Sequence, residues 1–316
     1  MSYKILVATR SFGSTSSKPW DILNQEGCEI VKADMSQKMT EERLIELLKG
    51  VDGAIIGVVP MTAHVIQSSP SLKVVSMHGV GVDHIDLTAA AGSGVVITNC
   101  QDANDQSVAD LTLGLMISIA RNIPSVDASL RKGGWGAHAG NELWNKTLGL
   151  VGLGRIGRGV AKRALGFDMK VLAHDPYVKQ EDILPGISIM SFEDVLGQAD
   201  YVSVHAALTE ETRHMIGTNQ LKIMKPSAYF INTSRGALVD EAALYSALTQ
   251  KQIAGAALDV FNEEPPKDSP LLGLENVVVT PHIGAHTRES IERMGIMAAE
   301  NVLQTLKGGQ PHFRVA

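Results

Sequence analysis

The sequence predicts an α/β protein made of two doubly wound parallel-sheet domains, one inserted into the other. Three observations carry this. Short β-branched runs recur with helical patterns between them, and the runs are apolar throughout, as expected when helices cover both faces of a parallel sheet. The chain has 316 residues, roughly twice a typical domain length. A glycine-rich strand-to-helix turn lies near the middle, behind a first series of strands. The 30 glycines and the 4% of aromatics suit strand–turn–helix units better than an aromatic-rich sandwich.

In chain order, the start MSYKILVATR reads as a strand and not as a signal peptide. Strands are expected at 5–8, 54–59, 72–77 and 95–98. Thr40 opens a helix over 40–48, with Arg43 where a capping box would carry Glu, and Leu44, Leu47 and Leu48 at helical spacing. A long helical pattern runs from Gln106 to about Lys132, where Pro124 should kink or break it and Gly133-Gly134 should end it. A helix of that length can leave one domain and enter another, so a boundary is placed near 101–105. A second series follows: strands at 147–151, 170–174, 200–205, 228–231, 253–258 and 277–280, with helices at 156–165, 192–196, 219–224 and 241–250. A final helix, 288–306, is expected to return to the first domain. The expected division is 1–102 plus 286–316 for the outer domain and 103–285 for the inner one.

The formal net charge is −6, from 28 basic and 34 acidic residues. That argues against a nucleic-acid partner, which requires a basic face. Two cysteines far apart, Cys28 and Cys100, form no disulfide framework and fit a reducing compartment. The longest apolar stretch, Leu111–Ala120, is too short to span a bilayer. A cytoplasmic protein without a membrane partner is expected. Asn104 and Trp135 are ambiguous; a tryptophan more often packs a loop onto the core.

The central turn is Gly152-Leu-Gly154-Arg155-Ile156-Gly157. Alone, a GxGxxG is weak; here a strand precedes it, a helix follows, and the next strand ends at Asp175. Gly152 allows the tight turn, Gly154 lets a pyrophosphate approach the backbone, and Gly157 permits close helix–strand packing. The helix N-terminus offers free N–H groups to the phosphates. Asp175 can accept from the adenosine ribose hydroxyls and repels a 2′-phosphate, and Pro176-Tyr177 follow it with no arginine. NAD is therefore expected in a Rossmann domain, with Ile156 counted among its contacts. Arg155 is either a solvated charge or a pyrophosphate contact.

Three motifs follow strand ends in the second half: Asn232-Thr-Ser-Arg235-Gly236, Asp259-Val-Phe-Asn-Glu-Glu264-Pro265 and Thr280-Pro-His282-Ile-Gly284. The carboxyl ends of the strands are where open α/β sheets bind ligands. Arginine can hold a carboxylate by two hydrogen bonds. Histidine exchanges protons near neutral pH, and a neighbouring glutamate orients it and favours its protonated form. His286, four residues after His282, has no third ligand in the sequence, and no metal site is expected.

With these motifs, together with His78-Gly-Val-Gly-Val-Asp83 and Ser107-Val-Ala-Asp110, nearly the whole chain resembles the D-isomer-specific 2-hydroxyacid dehydrogenases, close to the D-3-phosphoglycerate dehydrogenase-like branch. The resemblance implies a Rossmann NAD domain inserted into a flavodoxin-like substrate domain, a cleft that closes over substrate, and a homodimer. It implies hydride transfer between a small D-2-hydroxy acid and its 2-keto acid. Arg235 would bind and polarise the substrate, His282 would be the acid/base and Glu264 its partner. The amides of Val80 and Gly81 would hold the substrate carboxylate. Asp259 would contact the nicotinamide side, and Val108, His205, Ala206, Thr233 and Gly284 would line the cofactor. Several departures bear on the substrate. The stretch Gly57–Thr62 has no basic residue, where phosphoglycerate dehydrogenases tend to show an Arg-Ser pair for the phosphate. His286 replaces a small hydroxyl residue and Ala207 a proline. Substrate candidates are 3-phosphoglycerate with 3-phosphohydroxypyruvate, and glyoxylate with hydroxypyruvate. The same fold serves an NAD(H)-sensing corepressor family, an alternative of another class; a formate dehydrogenase-like enzyme would carry glutamine in place of Glu264.

Overall fold

The computed structural model describes residues 2–136 and 139–316. The chain divides into two compact units: 2–104 with 285–316, and 105–284. The outer unit holds five parallel strands, β1 (Lys4–Ala8), β2 (Glu29–Lys32), β3 (Gly53–Ile56), β4 (Val74–Met77) and β5 (Val96–Thr98), in the order β2-β1-β3-β4-β5. Its helices are α1 (Lys18–Gln25), α2 (Glu41–Leu47), α3 (Ala63–Gln67), α4 (Leu87–Gly92) and the C-terminal α11 (Arg288–Leu306). Alternate side chains of each strand face opposite helix layers. Ile5, Val7, Ile55 and Val74 pack with Leu23 of α1 and Met294, Ala298 and Val302 of α11. Leu6, Ala54, Ile56 and Val75 pack with Leu44, Val65, Ile66 and Ala90 of the other layer. The expected cap is present: Thr40 accepts from the Arg43 amide at 3.3 Å. The last residues cover the edge of β5, with the Val315 amide donating to the Ile97 carbonyl, which removes an exposed strand edge.

The inner unit is a seven-stranded, all-parallel sheet of β6 (Thr147–Val151), β7 (Lys170–His174), β8 (Ile187–Ile189), β9 (Tyr201–Val204), β10 (Tyr229–Asn232), β11 (Gly255–Leu258) and β12 (Val277–Val279). Their order is β12-β11-β10-β9-β6-β7-β8. The chain reverses direction between β6 and β9, the switch point where such sheets bind ligands. Helices α5 (Asp105–Ala120) and α7 (Arg155–Leu165) cover one face, with Leu113, Met116, Val160 and Ala164 against Leu148 and Leu150. Helices α8 (Phe192–Gln198), α9 (Thr218–Ile223) and α10 (Glu241–Thr249) cover the other through Leu196, Leu221 and Leu244.

The long helical pattern is two helices. It breaks at Asn122, which takes a left-handed φ of 53°, and α6 (Ile123–Arg131) restarts with Pro124 in its first turn. Proline there has no N–H to lose, so it starts a helix rather than kinking one. Trp135, ambiguous in the sequence, does not pack onto the core: it is 93% exposed. Ile123 and Leu130, which line a surface cavity together with it, are exposed too.

Candidate active site

Strand register sets the site. Across the inner sheet His174, Val151, Val204, Asn232, Leu258 and Val279 are paired neighbour to neighbour. The residues one step further form a row along the carboxyl edge: Asp175, Gly152, His205, Thr233, Asp259 and Thr280. Five of these six were expected to serve a cofactor; Thr280 was not.

At the switch point the turn is shaped around its glycines. Gly152 has φ of 96°, and a Cβ there would lie 2.7 Å from the His205 carbonyl carbon. A Cβ on Gly157 would lie 2.3 Å from the Gly152 oxygen, whereas at Gly154 nothing stands within 4 Å. The turn is thus packed tight at its ends and open at its middle. Helix α7 starts at Arg155 with no side-chain cap, leaving amides for an anion. Asp175 accepts from the Leu153 amide at 2.8 Å and the Tyr177 amide at 2.9 Å, which fixes its carboxylate beside the turn. These features fit a dinucleotide: Gly154 and the first amides of α7 would hold its pyrophosphate, and Asp175 its ribose. Burial holds His205 neutral, its pKa pushed down to about 4, with Nε2 2.9 Å from the Ser203 hydroxyl.

Arg235, Glu264 and His282 come from the loops after β10, β11 and β12, three adjacent strands. Asn232, fully buried, accepts from the Ser234 amide at 3.0 Å and donates to the Arg235 carbonyl at 2.8 Å. The Ser234 hydroxyl donates to the Ala206 carbonyl at 2.8 Å. Gly236 then lies against the next loop so closely that a Cβ would stand 2.0 Å from the Phe261 carbonyl carbon. The Phe261 amide donates to Glu264 Oε1 at 3.2 Å. His282 Nδ1 lies 2.7 Å from Glu264 Oε2. An ionised carboxylate only accepts, so the imidazole donates through Nδ1, and Nε2 is the nitrogen left to exchange a proton.

The charges follow from this contact. The hydrogen bond to Glu264 raises the His282 pKa above that of ordinary histidine; burial opposes this, and the Glu264 charge adds to it. Burial pushes the Glu264 carboxyl up, but the hydrogen bond and charge of His282 outweigh it and hold the carboxyl low. The pair therefore favours imidazolium with carboxylate.

Asp259 is 1% exposed, and its carboxylate is committed to the third loop. It accepts from Thr280 Oγ1 at 2.6 Å, the Ile283 amide at 2.8 Å and the Gly284 amide at 2.8 Å. Its carbonyl accepts the His282 amide at 2.8 Å. These bonds hold His282 at its left-handed φ of 52°. Motif order alone did not show that Asp259 grips the histidine loop. A Cβ on Gly284 would meet Asp259 Oδ2 at 3.2 Å and Val108 at 3.3 Å, and Thr233 Oγ1 lies 3.0 Å from Thr112 of α5. Val108, Thr233, Asp259 and Gly284 thus surround one part of the edge.

In the outer unit Val80 and Gly81 follow β4. The Gly79 carbonyl accepts from the Cys100 amide at 2.7 Å, and the Val80 carbonyl accepts from Asn99 Nδ2 at 2.9 Å. Peptide groups are trans, so fixing these two carbonyls turns the Val80 and Gly81 amides to the opposite side. Asn99 escaped the sequence reading because nothing in its own neighbourhood marks it.

A parallel sheet with a glycine turn at its switch point, and with Arg, Glu and His on adjacent loops, defines a nucleotide-binding domain of the doubly wound class. The profile of the D-isomer specific 2-hydroxyacid dehydrogenase NAD-binding domain matches residues 113–284, and the chain belongs to that family, with NAD as its cofactor. It is 43% identical over 286 residues to a D-3-phosphoglycerate dehydrogenase of Methanocaldococcus jannaschii, covering 89% of this chain and 54% of that one. It is 39% identical over 291 residues to a hydroxypyruvate reductase of Thermotoga maritima, covering 90% and 93%. A solved structure from Thermus thermophilus aligns with a TM-score of 0.91 at 39% identity, over 99% of this chain and 100% of that one. The chain spans little more than half the length of the phosphoglycerate dehydrogenases it matches.

Proposed function

We propose that the protein is an NAD-dependent dehydrogenase interconverting a small D-2-hydroxy acid and its 2-keto acid. The observation that carries this is the Arg235–Glu264–His282 set on one sheet edge with the nucleotide turn. NAD, held by the Gly152–Gly157 turn and Asp175, supplies a hydride acceptor for C2 of the hydroxy acid. In oxidation, neutral His282 takes the hydroxyl proton at Nε2 while Glu264 holds Nδ1–H. In reduction, protonated His282 donates to the carbonyl oxygen as negative charge develops there. Arg235 pairs with the substrate and stabilises that charge; losing such a group costs about 2.7–4 kcal/mol of barrier. The Val80 and Gly81 amides hold the carboxylate. Net charge is −6, so the anion relies on these local groups rather than on a global field.

Substrate candidates are hydroxypyruvate or glyoxylate, and 3-phosphohydroxypyruvate. The exposed apolar residues Ile123, Leu130 and Trp135 support a homodimer through this face; a monomeric mass by light scattering refutes it. Unpaired Cys28 and Cys100 support a reducing, cytoplasmic setting.

The test is NADH oxidation at 340 nm with glyoxylate, hydroxypyruvate, pyruvate, 2-oxobutyrate and 3-phosphohydroxypyruvate. At least one is reduced, and His282→Ala abolishes turnover while NADH binding is kept. No turnover on any acid, with NADH bound, would favour a binding protein. Near-normal turnover of His282→Ala at neutral pH would remove the histidine from the mechanism.

A further inference from the structure

In the outer sheet Ala8, Ile56 and Met77 are paired neighbour to neighbour. The next row, at the carboxyl edge, is Thr9, Gly57 and His78. The central residue must be small, because a Cβ there would stand 3.1 Å from Thr9 Oγ1. From Thr9 runs a polar chain, with Thr9 Oγ1 3.3 Å from Ser11 Oγ, which lies 3.2 Å from His78 Nδ1. His78 is buried and packed edge-on to Phe12, and its Nε2 has no hydrogen-bond partner among the described residues. Ser11 Oγ and His78 Nδ1 share one hydrogen bond, whose donor depends on the ring tautomer. The Ser11 carbonyl is tied by both the amide and the hydroxyl of Ser14. Ser11, half-buried, is thus held between a buried imidazole on one side and Thr9 on the other.

We propose that Ser11 is a specificity-determining residue of the substrate site, held in place by His78 and Thr9, and that it selects 2-keto acids bearing a free hydroxyl on the carbon next to the carbonyl. The proposal rests on the dehydrogenase reading and on the carboxylate lying at Val80–Gly81, two residues beyond His78. The neighbouring cations are engaged elsewhere. The Lys32 ammonium lies over the Trp20 ring, 4.1 Å from its centroid. The Arg10 guanidinium turns to the Met35 carbonyl, with Nε at 2.9 Å. Burial keeps His78 neutral, its pKa pushed down to about 4. Ser11 therefore offers a neutral hydrogen bond and no counter-charge for a phosphate.

The experiment compares kcat/KM for hydroxypyruvate, pyruvate and 3-phosphohydroxypyruvate in the wild type, Ser11→Ala and Thr9→Val, with NADH. The wild type prefers hydroxypyruvate to pyruvate by about tenfold or more, the worth of one hydrogen bond, and Ser11→Ala brings the ratio toward one. Thr9→Val moves it the same way by less. A folding defect lowers both rates together and leaves the ratio unchanged, so an unchanged ratio in Ser11→Ala overturns the proposal. So does a wild type that prefers pyruvate or 3-phosphohydroxypyruvate. A wild type that reduces no keto acid removes the dehydrogenase reading itself, and this proposal with it.

Discussion

Glu264→Gln isolates the charge in the acid–base pair, because the amide oxygen can still accept from His282 Nδ1. The pair is close, 2.7 Å, and half-exposed, with side-chain exposures of 38% and 36%. Hydrogen bonds to charged groups contribute about 1.5–3 kcal/mol, while fully exposed ion pairs contribute about 0–1. A half-exposed pair falls between, at about 1–2 kcal/mol for the imidazolium. With 1.36 kcal/mol per decade of rate, keto-acid reduction at neutral pH should fall roughly 5- to 30-fold. The sign also predicts the pH profile. Glu264 raises the His282 pKa, and reduction needs the protonated ring. Removing the charge lowers the pKa, so the alkaline limb of reduction moves to lower pH. Oxidation needs the neutral ring, so its acid limb also moves to lower pH. Both limbs are read from kcat against pH at fixed ionic strength, since salt screens a half-exposed pair. Profiles that superimpose on the wild type, or a loss equal at every pH in both directions, would refute the coupling of Glu264 to His282.

Three further outcomes follow from the packing. Gly157→Ala should weaken NADH binding at least tenfold by calorimetry, because the new methyl would lie 2.3 Å from the Gly152 oxygen and must push the turn open; unchanged affinity would contradict the cradle. Asp259→Asn should turn an N–H toward one donor of the 280–284 loop, costing about 1–3 kcal/mol for the unsatisfied group. It should lower kcat as His282 loses its fixed place, and a variant with wild-type kcat and Tm would show the grip is dispensable. Finally, His78 and His205 are held at about 4 by burial, against ~6.5 when unfolded. The unfolded chain takes up protons first, so stability is full above the unfolded pKa and is lost as pH falls toward 4. The loss is roughly 3 kcal/mol for each at or below pH 4. Denaturant midpoints that stay level from pH 7 to 4 would argue against two buried neutral rings.

Much of this was legible in the sequence. The parallel strands of both sheets announce themselves as apolar runs, since strands covered on both faces have no polar side to show. The exceptions are β2 and β8, which escape the pattern because they are short edge strands with partly exposed side chains. Helices α1, α3 and α4, of eight, five and six residues, were not read from the sequence. Gly152, Gly154, Gly157 and Asp175 were readable because their spacing belongs to one continuous strand–turn–helix–strand unit. Arg235, Glu264 and His282 were readable as motifs after strand ends.

The sequence by itself determined the parallel α/β class, the central nucleotide turn and the residue types of the proposed acid–base set. Register within each unit decided the rest. It placed Asp175, Gly152, His205, Thr233, Asp259 and Thr280 in one row, turned Asp259 into the clamp of the His282 loop, and set Gly236 against Phe261. It also aligned Thr9 with His78, with Ser11 between them. Those relations join residues from different strands, and their hydrogen bonds depend on sub-ångström placement across the sheet. Local pattern records which way a strand faces its helices, but not which strand lies beside it.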